Sequence, residues 1–340
     1  MFGLFSQRLL TLLQLTRMAL VFTAISNSLC ALLLWAKLTM ADEGEGVRDF
    51  VSFSRVVAVG IVSAGLYGFG MALNDINDRR RDSQIAAHRP IPSGRIGVVA
   101  ANVVCVMLVL AALLAGIAVA RFTGAGMLSF VLVVWTALLI VFYDFAGKYL
   151  VAPGLITLGL IRFFHATIAA PRLPLMWQPL LLLNHVTILS TICYVWEAKR
   201  PALTKLHWWA VLGGLAVYDA TLIGLVGYRR YGRIGTTFAD AIGLSSKLVL
   251  PMLAVAGFVM LAFTVHRYAG GTRRGGQTLM LYGLLWLIIY DAAFAAAYIS
   301  WFSAALLLLF LPLSYLSVQI MRWWGKILSL SQTPEFQRVR

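Results

Sequence analysis

Asn74-Asp75-Ile76-Asn77-Asp78-Arg79-Arg80-Arg81-Asp82 stands where a long apolar run gives way to a basic stretch. Asp75, Asp78 and Asp82 fall at i, i+3 and i+7, and Asn74 and Asp78 at i, i+4. On a helix these spacings stack the acidic groups along one face. Carboxylates so close repel one another unless something positive sits among them. A cluster of oxygen ligands suits Mg²⁺, which binds through one or two carboxylates and completes its shell with water and substrate phosphate. The simpler reading is a helix end whose charges are solvated at a membrane surface. The stretch is followed by His88-Arg89-Pro90-Ile91-Pro92-Ser93-Gly94-Arg95, a basic, turn-rich loop beside the acids.

The composition around this stretch is that of a membrane protein. Of 340 residues, 61% are hydrophobic and only 12% charged, with a mean hydropathy of +0.85. So few polar residues cannot cover a water-soluble surface. A net charge of +15 would suggest nucleic acid in a soluble chain. Here the basic residues lie mostly in short loops between apolar runs, where they encode membrane orientation; no nucleic-acid partner is expected. Cys30, Cys105 and Cys193 sit inside apolar runs at unrelated spacings and read as buried thiols, with neither a zinc pattern nor a disulfide framework. Arg8 and Arg17 precede an apolar segment with no small-residue cleavage site, so the first span is expected to be retained.

A helix needs about 20 apolar residues to cross the hydrocarbon. By that ruler spans are expected near 19–37, 56–74, 97–120, 126–143, 150–170, 179–197, 207–227, 247–265, 276–296 and 300–319. The fold expected is an all-α, polytopic membrane bundle of nine to ten transmembrane helices. Residues 1–340 form one integral-membrane domain, with 321–340 as a cytoplasmic tail. With the N-terminus in the cytoplasm, Lys and Arg concentrate on the cytoplasmic side of a cell membrane. Arg229, Arg230 and Arg233 are an exception that falls outside, as does the acidic loop with Asp42, Glu43, Glu45 and Asp49. The loops after the second and sixth spans then share the cytoplasmic face.

The pattern Asn-Asp-x-x-Asp-x-x-x-Asp at 74–82, followed by Arg-Pro-Ile-Pro-Ser-Gly at 89–94, resembles the first signature of the UbiA superfamily of intramembrane prenyltransferases. The resemblance implies an all-helical membrane enzyme with its active site facing the cytoplasm. Such an enzyme uses Mg²⁺ to bind a prenyl diphosphate and passes the prenyl group to a lipophilic or aromatic acceptor, among membrane lipids. It implies a metal set of Asn74, Asp75, Asp78 and Asp82, and catalytic roles for Asp75, Asp78 and Lys148. Substrate binding would fall to Asn74, Arg89, Arg95, Lys148, Arg162, Glu197, Lys199 and Arg200.

Lys148 closes Tyr143-Asp144-Phe145-Ala146-Gly147-Lys148; the superfamily commonly carries a Tyr and a following Lys or Arg there, reaching toward the diphosphate. A Lys at a helix end also simply snorkels to the interface. Arg162 is costly inside a span unless it faces a wet cavity or a partner, and the His165 beside it reads more simply as a hydrogen-bonded core residue. Superfamily members carry a second aspartate motif after the sixth span. Here that position reads Tyr194-Val195-Trp196-Glu197-Ala198-Lys199-Arg200-Pro201, where one carboxylate remains beside two cations. Lys199 and Arg200 either neutralise diphosphate directly or serve as membrane anchors.

The Tyr-Asp-x-x-x-Lys ending and the weakened second motif are similar to the EboC-type branch of the superfamily. That similarity implies a second reading, in which catalysis is altered or lost and the protein serves export or assembly of a lipophilic metabolite. A third reading is a secondary transporter coupled through Asp144, Asp219 and Asp291, but the broken helices and repeated halves of that class are not evident. Asp219 and Asp291, each in a Tyr-Asp-Ala triplet, and Asn27 either line a cavity or bond between helices.

Overall fold

Each long apolar run of the chain becomes a helix, because in hydrocarbon every backbone N–H and C=O must be satisfied within the segment. A computed structural model describes residues 2–40, 51–123, 126–231 and 237–330. The acidic loop from Asp42 to Asp49, Arg233 and the last ten residues of the tail lie outside the described residues. The helices are α1 (Phe2–Leu15), α2 (Val21–Trp35), α3 (Phe53–Ile85), α4 (Val98–Phe122), α5 (Leu128–Phe145), α6 (Ala152–Thr167) and α7 (Trp177–Trp196). They continue with α8 (Lys205–Arg230), the short α9 (Phe238–Ala241), α10 (Val249–Ala269), α11 (Arg273–Tyr298), α12 (Trp301–Leu308) and α13 (Phe310–Leu330). Among the described residues, nine helical stretches are long and apolar enough to cross a membrane. α6, where the fifth span is expected, has 16 residues and is shorter than any of them; it packs between α5 and α7 and also against α2.

Two layers follow from burial. The apolar windows of α2, α3, α7 and α11 are more than half buried, whereas those of α4, α5, α8, α10 and α12–α13 are a third buried or less. The outer helices present Val103, Met107 and Leu114 on α4, Val217 on α8, and Met260 and Phe263 on α10. These are the side chains that lipid would cover. The inner helices place Leu29, Leu32, Leu66, Phe69 and Phe294 in the core.

The inner helices approach closely where glycine permits it. A Cβ on Gly159 of α6 would collide with Thr187 Oγ1 and the Leu183 carbonyl of α7. With no hydrophobic drive between helices in lipid, such small-residue contacts carry much of the association. Gly159→Ala is therefore expected to force α6 and α7 apart and cost about 1–3 kcal/mol. The measurement is thermal unfolding in detergent, with Gly60→Ala as control, since nothing lies within 4 Å of a Cβ there. Equal melting temperatures for the two variants would remove the close-packing account.

The length of α3 positions the site. Its 33 residues extend roughly 50 Å at about 1.5 Å per residue, well beyond the ~30 Å hydrocarbon. About 20 residues consume the apolar thickness, so the helix leaves it near Asn74. The acidic stretch thus continues the same rigid helix into the polar boundary.

Candidate functional site

The last turns of α3 carry Asp75, Asp78 and Asp82 in the order expected, but the structure divides them between two partners. At ~100° per residue, positions seven apart point within about 20° of each other, whereas three apart diverge by about 60°. Asp75 and Asp82, both buried, accordingly share one guanidinium. Arg89 Nη1 lies 3.5 Å from Asp75 Oδ1 and 2.5 Å from Asp82 Oδ2. A second cation, Arg17, donates from Nη2 to Asp75 Oδ1 at 3.1 Å. Asp78, turned about 60° round the helix from Asp75, reaches Lys148 instead, whose ammonium lies 2.7 Å from Asp78 Oδ1 and 3.6 Å from Asp144 Oδ1.

Each partner comes from a different element. Arg89 belongs to the loop after α3, where Gly94 takes a left-handed φ of +72° and Pro90 and Pro92 restrict the rest. Arg17 sits at the break between α1 and the short turn Met18–Leu20, with φ 46° and ψ 39°. Non-glycine residues are uncommon there and concentrate at functional sites. Lys148 lies in the single turn Gly147–Tyr149 that follows α5. Asn74, with its amide oriented to donate, reaches Asp144 Oδ1 at 3.0 Å and Asp78 Oδ2 at 3.3 Å. Asn77 donates to the Asp144 backbone carbonyl.

The burial is asymmetric. The side chains of Asp75 and Asp82 are 4% and 5% exposed, those of Arg17 and Arg89 40% and 32%. Buried carboxylates are thus covered by cations that remain open to an incoming ligand.

Other residues expected in the site are placed apart from this cluster. Arg95 donates to Ser93 Oγ, the His88 carbonyl and Gln14 Oε1, so it ties the loop to itself and to α1. Glu197 pairs with Lys199 at 3.2 Å, and Arg200 is exposed. Among the described residues no hydrogen bond or ion pair joins these three to the carboxylates of α3. Arg162 lies deeper and is buried. Its Nη1 and Nη2 are each 3.4 Å from neutral oxygens, Asn27 Oδ1 and Thr23 Oγ1. Its guanidinium sits 5.8 Å from the centre of the Tyr67 ring.

Asn27 relays this charge. It also donates to Asp291 Oδ2 at 2.7 Å, and Ser26 and Gln178 donate to the same carboxylate at 2.7 and 3.0 Å. Asp291 is therefore a fully engaged interhelical acceptor. Asp219 accepts from the Asn184 amide at 3.1 Å. His165 lies 3.5 Å from Ser28 Oγ, a core position as expected.

Sequence reasoning left Arg17 and Asp144 out of the site. For Asp144 a signal existed, since it stands at i, i+4 to Lys148 on a helix end. Arg17 carried none, because its partner lies 58 residues away.

Among the described residues no three His, Cys, Asp or Glu side chains stand together as a ready metal cage. The donors nevertheless match Mg²⁺, which takes one or two carboxylates and leaves the rest of its shell to water and phosphate. Asp78 already faces a cation, the Lys148 ammonium, at 2.7 Å.

The model of the UbiA prenyltransferase family matches residues 29–200. That range includes the acids of α3, Lys148, Arg162 and Glu197. Among solved structures the chain is similar to one from a study of digeranylgeranylglyceryl phosphate synthase in membranes. The two are 15% identical, the match covers 86% of this chain and 99% of that one, and the TM-score is 0.55. A likeness at this identity shows the fold. The chain also matches a UbiA homologue from Archaeoglobus fulgidus bound to GPP and Mg²⁺, at 13% identity, 94% and 99% coverage and a TM-score of 0.42. The same homologue bound to DMAPP and Mg²⁺ matches at 12% identity, 91% and 99% coverage and a TM-score of 0.42. No curated protein matches the chain.

Proposed function

The chain belongs to the UbiA prenyltransferase family, and on that premise we propose that it is a Mg²⁺-dependent transferase working within the membrane. It would move a prenyl group from a prenyl diphosphate to a lipophilic or aromatic acceptor. The observation that carries this reading is the cluster at the end of α3. Buried carboxylates there are covered by Arg17, Arg89 and Lys148, cations supplied by three other parts of the chain.

Asn74, Asp75, Asp78 and Asp82 are the residues that would hold Mg²⁺. When bound, it supplies Lewis-acid stabilisation of the leaving diphosphate. Arg89 and Arg17 lie at the same place and can turn their exposed guanidinium forks onto phosphate oxygens. Lys148 adds a point charge, whereas Arg95 is tied to its own loop and to α1 and Lys199 pairs with Glu197, apart from the cluster. The allylic C–O bond breaks with its electron pair going to the diphosphate, the acceptor carbon or heteroatom forms the new bond, and the acceptor loses a proton. The allylic cation needs a dry, aromatic-lined cavity, and Tyr67, whose ring centre lies 5.8 Å from the Arg162 guanidinium, is one ring that could line it. The abundance of Lys and Arg in loops on this side supports a cytoplasm-facing site in a cell membrane. No finding favours the EboC-type branch over the wider family.

The test is turnover by the purified full chain in lipid, using labelled allylic diphosphates of graded length. Expected is Mg²⁺-dependent release of diphosphate that stops on chelation and resumes when Mg²⁺ is restored. A folded protein that neither binds nor ionises any of them would overturn the reading.

A further inference from the structure

We propose that Asp144 is a positioning residue that keeps Lys148 at the diphosphate when Asp78 turns to a metal ion, a role that rests on the transferase reading. The two carboxylates around the Lys148 ammonium are not equivalent. Asp78 makes the shorter contact, 2.7 Å against 3.6 Å, but its side chain is 17% exposed and that of Asp144 only 2%. Asp78 belongs to the acidic face of α3 and is open to an incoming cation. Asp144 is pinned from two sides: its carboxylate accepts from Asn74 and its backbone carbonyl from Asn77. It cannot follow a ligand outward.

A divalent ion on Asp78 competes directly with the ammonium for the same oxygens. Lys148 then keeps one anionic anchor, four residues back along its own chain. The break at Ala146 and the turn at Gly147–Tyr149 bring Lys148 back over the end of α5, so Asp144 can hold it there. Without that anchor a long, flexible ammonium at a helix end extends to the interface. Its Nζ lies 6.0 Å from the centre of the exposed Tyr149 ring.

The experiment measures binding of inorganic pyrophosphate with Mg²⁺ to the full chain by calorimetry, and binding of Mn²⁺ alone by electron paramagnetic resonance. Asp144→Asn is expected to weaken pyrophosphate about tenfold, the scale of one charge-assisted contact. Lys148→Ala should lose a similar amount, the double variant should lose little more, and Asp144→Glu should recover most of the affinity. Mn²⁺ affinity should stay the same in Asp144→Asn. Asp144→Ser, run in parallel, answers the same question if the Asn variant does not fold. Wild-type pyrophosphate affinity in the Asp144 variants, losses that multiply in the double variant, or weakened Mn²⁺ binding would each overturn the proposal while leaving the transferase reading intact. A wild-type protein that binds no pyrophosphate overturns both.

Discussion

Asp75→Ala and Asp78→Ala are each expected to lower kcat for diphosphate release by at least about a hundredfold, the range seen when a main source of transition-state charge stabilisation is removed. Folding should survive. In Asp75→Ala, Arg89 keeps Asp82 at 2.5 Å, and Arg17, 40% exposed, returns to solvent. In Asp78→Ala, Lys148 keeps Asp144. Neither variant leaves a buried charge without a partner, which is what makes breaking a buried pair costly, so both proteins should melt close to the wild type. Turnover and thermal unfolding measured together decide the matter. Wild-type turnover in both variants would place the metal elsewhere or make it unnecessary.

Asp291→Ala is expected to have the largest effect on stability. Ser26, Asn27 and Gln178 would lose their shared acceptor, and these donors come from α2 and α7 while Asp291 is on α11. Interhelical hydrogen bonds in membranes are worth about 0.6 kcal/mol each, with a maximum near 1.7. Three of them amount to roughly 2–5 kcal/mol, since the site is wholly buried and no water replaces the lost oxygen. Arg162 adds to the cost, because Asn27 no longer links its charge to a carboxylate. Asp291→Asn retains one acceptor oxygen and should fall between. Unfolding in mixed detergent micelles checks the order: wild type, then Asn, then Ala. An Ala variant as stable as the wild type would mean the network contributes nothing to holding these helices together.

Much of this protein is decided by local runs of residues. Apolar length sets how many helices form and where they stop, because the hydrocarbon imposes one thickness on every span. The spacing of Asp75, Asp78 and Asp82 sets which of them can share a cation, because helix geometry is periodic. Apart from Asp82 and the neighbouring Arg89, what the acids pair with was decided only by the tertiary structure. Asp75 meets Arg17 across 58 residues, Asp78 meets Lys148 across 70, and Asp291 meets Ser26 across 265. No periodicity within a segment carries information over such separations.

Apolarity tracks lipid exposure without deciding how the helices pack. α4 has the most apolar window and is 28% buried, whereas the less apolar window beginning at Val21 is 67% buried. Lipid tails are as apolar as leucine, so the hydrophobic effect does not sort one helix from another inside the bilayer. Close glycine contacts and polar networks such as that of Asn27, Arg162 and Asp291 do the sorting, and they exist only once the helices have met.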